Sequence, residues 1–525
     1  MKFKPGKLSN KELVHFYRSL LKPRMIEERM LILLRQGKIS KWFSGIGQEA
    51  VSVGAALAMD QDEYILTMHR NLGVFTTRDV PLDRLFGQFQ GKETGFTKGR
   101  DRSFHFGTKD FKIVGMISHL AAQIPVADGI AMGELLNKSG KATLVFTGDG
   151  GTSEGDFHEA LNVASVWQLP VIILIENNGY GLSTPSSQQF RFKSFVDKGP
   201  GYGIKAYTCD GNNILEVYST LSKAIKLVRK KPQPIIIEAK TFRMRGHEEA
   251  SGTKYVPDSL MKKWAAKDPI ENFEKFLIEK KALDHSLIES IRSEISNEIE
   301  EGLNKAYKTP LPEPLVTKET TDIFAPFEQR INSPRNQKST GRRFVDAISD
   351  GLKQSMIKHP NLIFMGQDIA EYGGVFKISE GFVEEFSEER IRNTPICESA
   401  ILGMGLGLSI KGFKSVIEMQ FADFVSCGFN QIANNLAKSN YRWGQNSDVV
   451  IRMPTGAGVG AGPFHSQSNE AWFFHIPGLK IVYPSTPFQA KGLLTAAIED
   501  PNPVLYFEHK TLYRSLSENI PDEFY

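Results

Sequence analysis

The fold of this chain is decided between Thr143 and Asn178, in the stretch TLVFTGDGGTSEGDFHEALNVASVWQLPVIILIENN. Thr143 to Thr147 is an apolar run that stops at a glycine turn around Asp149, and Val171 to Ile175 is a second, β-branched run that stops at two asparagines. Between them Phe157, Ala160, Leu161, Ala164 and Trp167 recur at helical spacing. The stretch predicts strand, turn, helix and strand, with polar residues gathered at the strand ends, where open α/β sheets bind ligands.

The polar residues at those ends carry the chemistry. Gly148 and Gly150 let backbone amides approach a phosphate closely at a helix start. Asp149 offers a hard oxygen that a phosphate repels unless a cation bridges the two, which points to Mg²⁺. The segment Asn177-Asn178-Gly179-Tyr180 follows after one helix and one strand, so it returns beside the first turn and adds amide and carbonyl oxygens for an octahedral ion. A bare GDG is common in turns; GDG followed by this helix, this strand and NN is far more specific.

At 525 residues, 41% hydrophobic and 24% charged, the chain is an ordinary globular protein with room for two to four domains. Its net charge of +4 and the absence of a basic block interleaved with aromatics do not suggest nucleic acid. No window approaches a membrane span, and the start, MKFKPGKLSNKEL, lacks the apolar core of a signal peptide. Three scattered cysteines, Cys209, Cys397 and Cys427, suggest neither a disulfide framework nor a zinc site. These features lead to the expectation of a cytoplasmic location.

With those residues in hand, GDGGTSEGDFHEALN and ENNGYGLS resemble the cofactor signature of thiamine-diphosphate enzymes, in particular the α subunit of 2-oxo acid dehydrogenases. The resemblance implies that Asp149, Asn178 and the Tyr180 carbonyl hold Mg²⁺, and that Gly148, Gly150 and Gly151 belong to the cofactor site. It extends N-terminally over a leading helical pattern (residues 9 to 37), a GIGQEA segment, and a strand ending in His69-Arg70. In the family an arginine matching Arg70 grips the diphosphate, which suits a guanidinium, and a tyrosine stands where this chain has His69. His105, in GRDRSFHF, matches a substrate-side histidine. In ISHLAAQIP the positions matching Ser118 and Leu120 touch the aminopyrimidine of the cofactor in branched-chain members. A threonine and a glutamine help bind K⁺ there; Gln123 is kept, but Ala122 replaces the threonine and the loop is one residue shorter, which argues against K⁺. Further on, the strand from Pro234 leads to Arg243-Met244-Arg245-Gly246-His247, where the resemblance places Arg243 and His247 at the diphosphate and His247 beside the reacting carbon. Glu248 follows where animal members carry a regulatory phosphoserine, so kinase control at that site is not expected.

Residues 1–308 thus read as a diphosphate- and Mg²⁺-binding domain, and 309–341 as a linker rich in proline, serine and charge, within which Phe324 to Phe327 is a docking candidate. Residues 342–525 resemble the β subunit of the same enzymes and read as a pyrimidine-binding domain. The matches include GQDIA, RNTPICE, EMQFADF and HSQS. Glu398 matches the glutamate that hydrogen-bonds the pyrimidine and promotes proton removal, and burial is expected to keep it partly protonated. Gln420 and Phe424 match positions lining the ring and pocket, with tyrosine in many members at Phe424, and His465 matches a histidine near the substrate carboxylate.

The expectation is an α/β protein with two doubly wound domains of the thiamine-diphosphate type and without the family's third, C-terminal domain. Its implied activity is oxidative decarboxylation of a 2-oxo acid, branched-chain favoured, with reductive acylation of a lipoyl group. Catalysis falls to Glu398, His465 and His247. The partner is a lipoylated acyltransferase component, and the assembly a homodimer. A pyruvate or acetoin dehydrogenase component is the alternative within the class. Because the family's β subunit continues for about 100 to 150 residues beyond this point, a truncated, non-catalytic relative is the alternative outside it. A nicotinamide-binding protein is weaker still, since no G-x-G-x-x-G follows a strand with an acid at the right distance.

Overall fold

The computed structural model describes residues 1–328, 330–334 and 338–525. By compactness the chain forms two units, the first from Met1–Ile124 and Gly140–Glu313, the second from Pro125–Ser139 and Pro314–Tyr525. The later division falls inside the predicted linker 309–341, of which residues 329 and 335–337 lie outside the described residues.

The first unit is built on six parallel strands: β1 (Ile65–Leu66), β2 (Ile113–Val114), β3 (Thr143–Gly148), β4 (Val171–Asn177), β5 (Lys205–Asp210) and β6 (Ile235–Lys240), in the order β2-β1-β3-β4-β6-β5. Its central strands are apolar almost throughout: Leu144 to Phe146, Ile172 to Ile175 and Ile235 to Ile237 have no exposed surface. That pattern suits a parallel sheet covered on both faces. Around it lie α1 (Asn10–Arg35), begun by a Ser9–Glu12 capping box, and α2 (Glu49–Ala58). α3 (Gln123–Leu136) starts here and passes into the second unit, and α4 (Gly155–Val166) joins β3 to β4 as the spacing predicts. Phe157, Ala160, Leu161 and Ala164 are fully buried, whereas Trp167 caps α4 and is half-buried.

The second unit has the strands β7 (Leu362–Gly366), β8 (Ile391–Asn393), β9 (Lys414–Glu418), β10 (Val449–Thr455), β11 (Lys480–Val482) and β12 (Val504–His509). They too are all parallel, in the order β8-β7-β9-β10-β12-β11, which repeats the order of the first sheet strand for strand. α5 (Glu398–Ile410) packs against α3 at backbone distance: a Cβ on Gly129 would lie 2.1 Å from the Met404 carbonyl oxygen. Glu134 and Lys411 close the same contact with an ion pair of 2.7 Å. The expected docking of Phe324 to Phe327 is seen: Ala325 exchanges two hydrogen bonds with Asn502, and the Lys480 ammonium sits over the Phe324 and Phe327 rings.

In both sheets the strand order reverses beside the first strand, between β1 and β3 and again between β7 and β9. Ligands of open α/β sheets bind at the carboxyl ends of the strands at such a reversal. No described helix is long and apolar enough to cross a membrane.

Candidate functional site

At the reversal in the first unit, β1 delivers His69 and Arg70 and β3 delivers Asp149. A buried scaffold shapes the turn after β1. Asn71 accepts from the Met68 amide at 2.7 Å and donates to Glu176 at 2.7 Å, and Gln48 donates to the other Glu176 oxygen at 3.0 Å. Glu27, on α1, accepts from the Trp42 indole at 2.6 Å and from the Gly45 amide at 2.7 Å, which fixes the neighbouring loop. Burial raises both carboxyls, Glu27 and Glu176, to about 7.

Arg70 is 6% exposed. Its guanidinium donates to the carbonyls of Ser44 (2.8 Å) and His247 (3.1 Å) and to His69 Nε2 (2.9 Å). Arg243 is as deeply buried and donates to the carbonyls of Leu182 (2.7 Å) and Arg245 (3.2 Å) and to the Tyr255 hydroxyl (2.7 Å). Neither arginine pairs with a carboxylate among the described residues. Desolvation, helped by the charge of Arg243, brings Arg70 down to about 9. Desolvation with Arg70 and Arg243 brings His247 down to about 4 and holds His69 well below the usual imidazole range. Two buried cations held by neutral acceptors form a place where an anion would be favourable.

Asp149 is 1% exposed; Ser186 donates to its Oδ2 at 2.9 Å, and burial raises its carboxyl. Because β3 and β4 pair Gly148 with Glu176, the segment Asn177 to Tyr180 emerges beside it. Asn177 is committed to Glu238 (2.7 Å) and to the Gly179 amide (3.2 Å), while Asn178 accepts from the Tyr180 amide at 3.1 Å. Of the predicted glycines, Gly150 packs on the Gly181 backbone and Gly151 on Thr147, whereas a Cβ at Gly148 would meet just the Met68 sulfur, at 3.8 Å. No cluster of three His, Cys, Asp or Glu side chains fit to hold a metal occurs among the described residues. A cation here would draw on one carboxylate, amide and carbonyl oxygens and its ligand's own oxygens.

Beside these arginines lies a cavity of about 610 Å³, entirely within the first unit. His69, His105, His247, Ser118, Leu120 and Met116 line it, so the structure gathers six residues from four separate segments of sequence. His105 contacts the hydroxyls of Ser103 (3.1 Å) and Ser118 (3.3 Å). Gln123 does not face this cavity with its amide nitrogen, which donates to the Phe146 carbonyl at 2.9 Å.

In the second unit, Gln420 donates to Asp368 at 3.0 Å, a bond that spans the reversal between β7 and β9. The His465 ring stands edge-on to Phe421 (4.9 Å) and Phe424 (5.5 Å), and its loop is tied down by Lys510, which donates to the His465 carbonyl at 2.6 Å, and by Asp423, which accepts from the Gln467 amide at 3.1 Å. Glu398 opens α5 and is half-buried, while Ser399, Ala400 and Ile401 of the same turn are buried.

Glu27, Asn71, Glu176 and Ser186 escaped the sequence reading. Glu27 alone left a signal there: it lies seven residues after Leu20 and four before Leu31, an acid on the buried face of α1.

Residues 17–315 match the family described as the dehydrogenase E1 component, and residues 341–515 match the pyrimidine-binding domain of transketolase. The β subunit of a 2-oxoisovalerate dehydrogenase from Bacillus subtilis is 46% identical over 186 residues, 35% of this chain and 56% of that one. The mitochondrial α subunits of Arabidopsis thaliana (α 1) and Mus musculus are 34% and 30% identical, over 51% and 64% of this chain and 58% and 75% of theirs. The chain thus spans little more than half the length of the Bacillus and Arabidopsis relatives, and it joins in one polypeptide stretches similar to an α and to a β subunit. A family match over more than half of the sequence settles the placement: this chain belongs to the dehydrogenase E1 component family.

Proposed function

We propose that the chain is the thiamine-diphosphate-dependent first component of a 2-oxo acid dehydrogenase, acting on branched-chain 2-oxo acids and passing the acyl group to a lipoyl group of an acyltransferase partner. The observation that carries this reading is the pair of buried guanidiniums, Arg70 and Arg243, neither of them paired with a carboxylate among the described residues, in the neighbourhood of a buried Asp149. These residues fit a diphosphate bridged by Mg²⁺: the arginines supply charge, and Asp149, Asn178 and the Tyr180 carbonyl supply hard oxygens. The names of the relatives favour a branched 2-oxo acid over pyruvate.

When bound, thiamine diphosphate supplies the electron sink for cleaving the bond between the carboxylate and oxo carbons of the substrate. The protein's own residues bind and orient. Arg70 and Arg243 hold the diphosphate, with the backbone at Gly148, Gly150 and Gly151 close by, and Ser118 and Leu120 contact the aminopyrimidine. Glu398 hydrogen-bonds the pyrimidine ring and Gln420 lines its place. His247 and His465 would orient the 2-oxo acid, and His105 would stand on the substrate side. The working form is a homodimer in the cytoplasm.

Calorimetric titration of the chain with thiamine diphosphate is expected to show binding that depends on Mg²⁺, and turnover of 3-methyl-2-oxobutanoate is expected to exceed that of pyruvate. Absence of binding with and without Mg²⁺ would overturn the cofactor reading. Faster turnover of pyruvate would overturn the choice of substrate alone.

A further inference from the structure

Arg70 touches both of the histidines that flank it. One Nη2 hydrogen goes to His69 Nε2 at 2.9 Å, and the other is shared between the His247 carbonyl oxygen at 3.1 Å and His247 Nδ1 at 3.4 Å. A guanidinium has donors and no acceptor, so each ring nitrogen that faces it must present a lone pair. We infer that Arg70 fixes His69 as the Nδ1–H tautomer and His247 as the Nε2–H tautomer, so that His247 meets the cavity with an N–H donor and not with a basic lone pair.

The remaining contacts agree. His69 Nδ1 lies 3.4 Å from the Met116 sulfur, an acceptor for the hydrogen this tautomer carries. The two imidazoles stand edge-on to each other at 5.5 Å, and Phe43 stands edge-on to both, at 4.8 Å from His69 and 5.6 Å from His247. Protonating either ring would set an N–H against an arginine N–H. The titratable groups around them work in the same direction: Arg70, Arg243 and Lys41 disfavour a charge on His247, and Arg70, Arg243, His247 and His105 disfavour one on His69. Both rings therefore stay neutral at neutral pH.

The consequence rests on reading the cavity as a 2-oxo acid site. His247 then gives a hydrogen bond to a substrate oxygen, oxo or carboxylate, and does not serve as a base from the cavity side. Arg70 is a positioning residue for that histidine, in addition to its part in binding the diphosphate.

Long-range ¹H–¹⁵N correlation spectra of the full chain labelled with ¹⁵N-histidine separate the two tautomers, with His247→Gln and His69→Gln variants assigning the signals. The expected result, with no ligand added, is the Nε2–H pattern for His247 and the Nδ1–H pattern for His69, unchanged between about pH 6 and 8, the range in which a free imidazole titrates. In Arg70→Met, His247 is expected to average between tautomers and to titrate nearer the ordinary imidazole range. An Nδ1–H pattern for His247 in the unmodified chain would overturn the inference, as would an unchanged pattern in a folded Arg70→Met protein. Should that variant not fold, the unmodified chain alone decides. Because the spectra need no cofactor, wrong tautomers with intact thiamine diphosphate binding reject this inference only, and correct tautomers without binding reject only the proposed function.

Discussion

Two buried arginines, one in each unit, live in opposite surroundings. Arg452, on β10, has no exposed surface, and both its Nε and Nη2 bind Glu508 on β12 at 2.8 Å. Its Nη1 binds Glu418 on β9, and the Tyr513 hydroxyl donates to Glu508 at 2.5 Å. Desolvation works against its charge, but the two carboxylates more than reverse that, and its pKa is raised. Arg70 is buried nearly as deeply among carbonyls and imidazoles, and its pKa falls. The first arginine belongs to the fold, which supplies its counter-charge; the second, on the proposed function, is kept for a ligand.

Three substitutions test that distinction. Arg452→Met leaves Glu418 and Glu508 buried without a cation, and the second unit is expected to lose about 3–5 kcal/mol in denaturant melts. A loss below about 1 kcal/mol, the size expected of an exposed pair, would show that the network is not structural.

Glu27 is the acidic counterpart of Arg70: it is fully buried, and no cation pairs with it among the described residues. Its folded pKa of about 7 lies above the unfolded value, so its contribution to stability is complete below the unfolded pKa and is lost as pH rises through about 7. Replacing it by glutamine is expected to remove on the order of 3 kcal/mol of pH-dependent stability between about pH 4.5 and 7, whatever the variant's absolute stability. Equal slopes for the two proteins would refute the assignment.

The smallest effect is expected of Arg70→Met. Inorganic diphosphate affinity should fall by about 1.5–3 kcal/mol, the worth of hydrogen bonds to a charged group, while the melting temperature holds or rises because an uncompensated buried charge is gone. Unchanged diphosphate affinity would place the anion elsewhere.

Much of this was legible in the sequence because it is local. The stretch from Thr143 to Asn178 carries its strand, turn, helix and strand in one uninterrupted pattern, and Asp149 and Asn178 fall where that pattern ends. Arg70, Arg243 and His247 were singled out through the resemblance, but that neither arginine pairs with a carboxylate among the described residues was not legible, since it depends on which distant segments the fold brings to them. The Glu418–Arg452–Glu508 ladder lies on three strands, and sheet register, which no single stretch encodes, sets Glu418 opposite Arg452 and Glu508 two residues beyond Arg452's other partner, Tyr506. Asn71 and Ser186 look like ordinary loop residues until the fold carries them to Glu176 and Asp149.

The helix that starts in the first unit and is completed in the second bears on how such a protein can be made. Pro125–Ser139 is encoded long before the segment it packs with, and Gly129 meets α5 so closely that no side chain fits between them. During synthesis this piece emerges from the ribosome well ahead of its packing surface, and the second unit cannot close until the last third of the chain has been translated. Joining α-like and β-like halves in one polypeptide ensures that every copy of the early helix is made together with the surface that covers it.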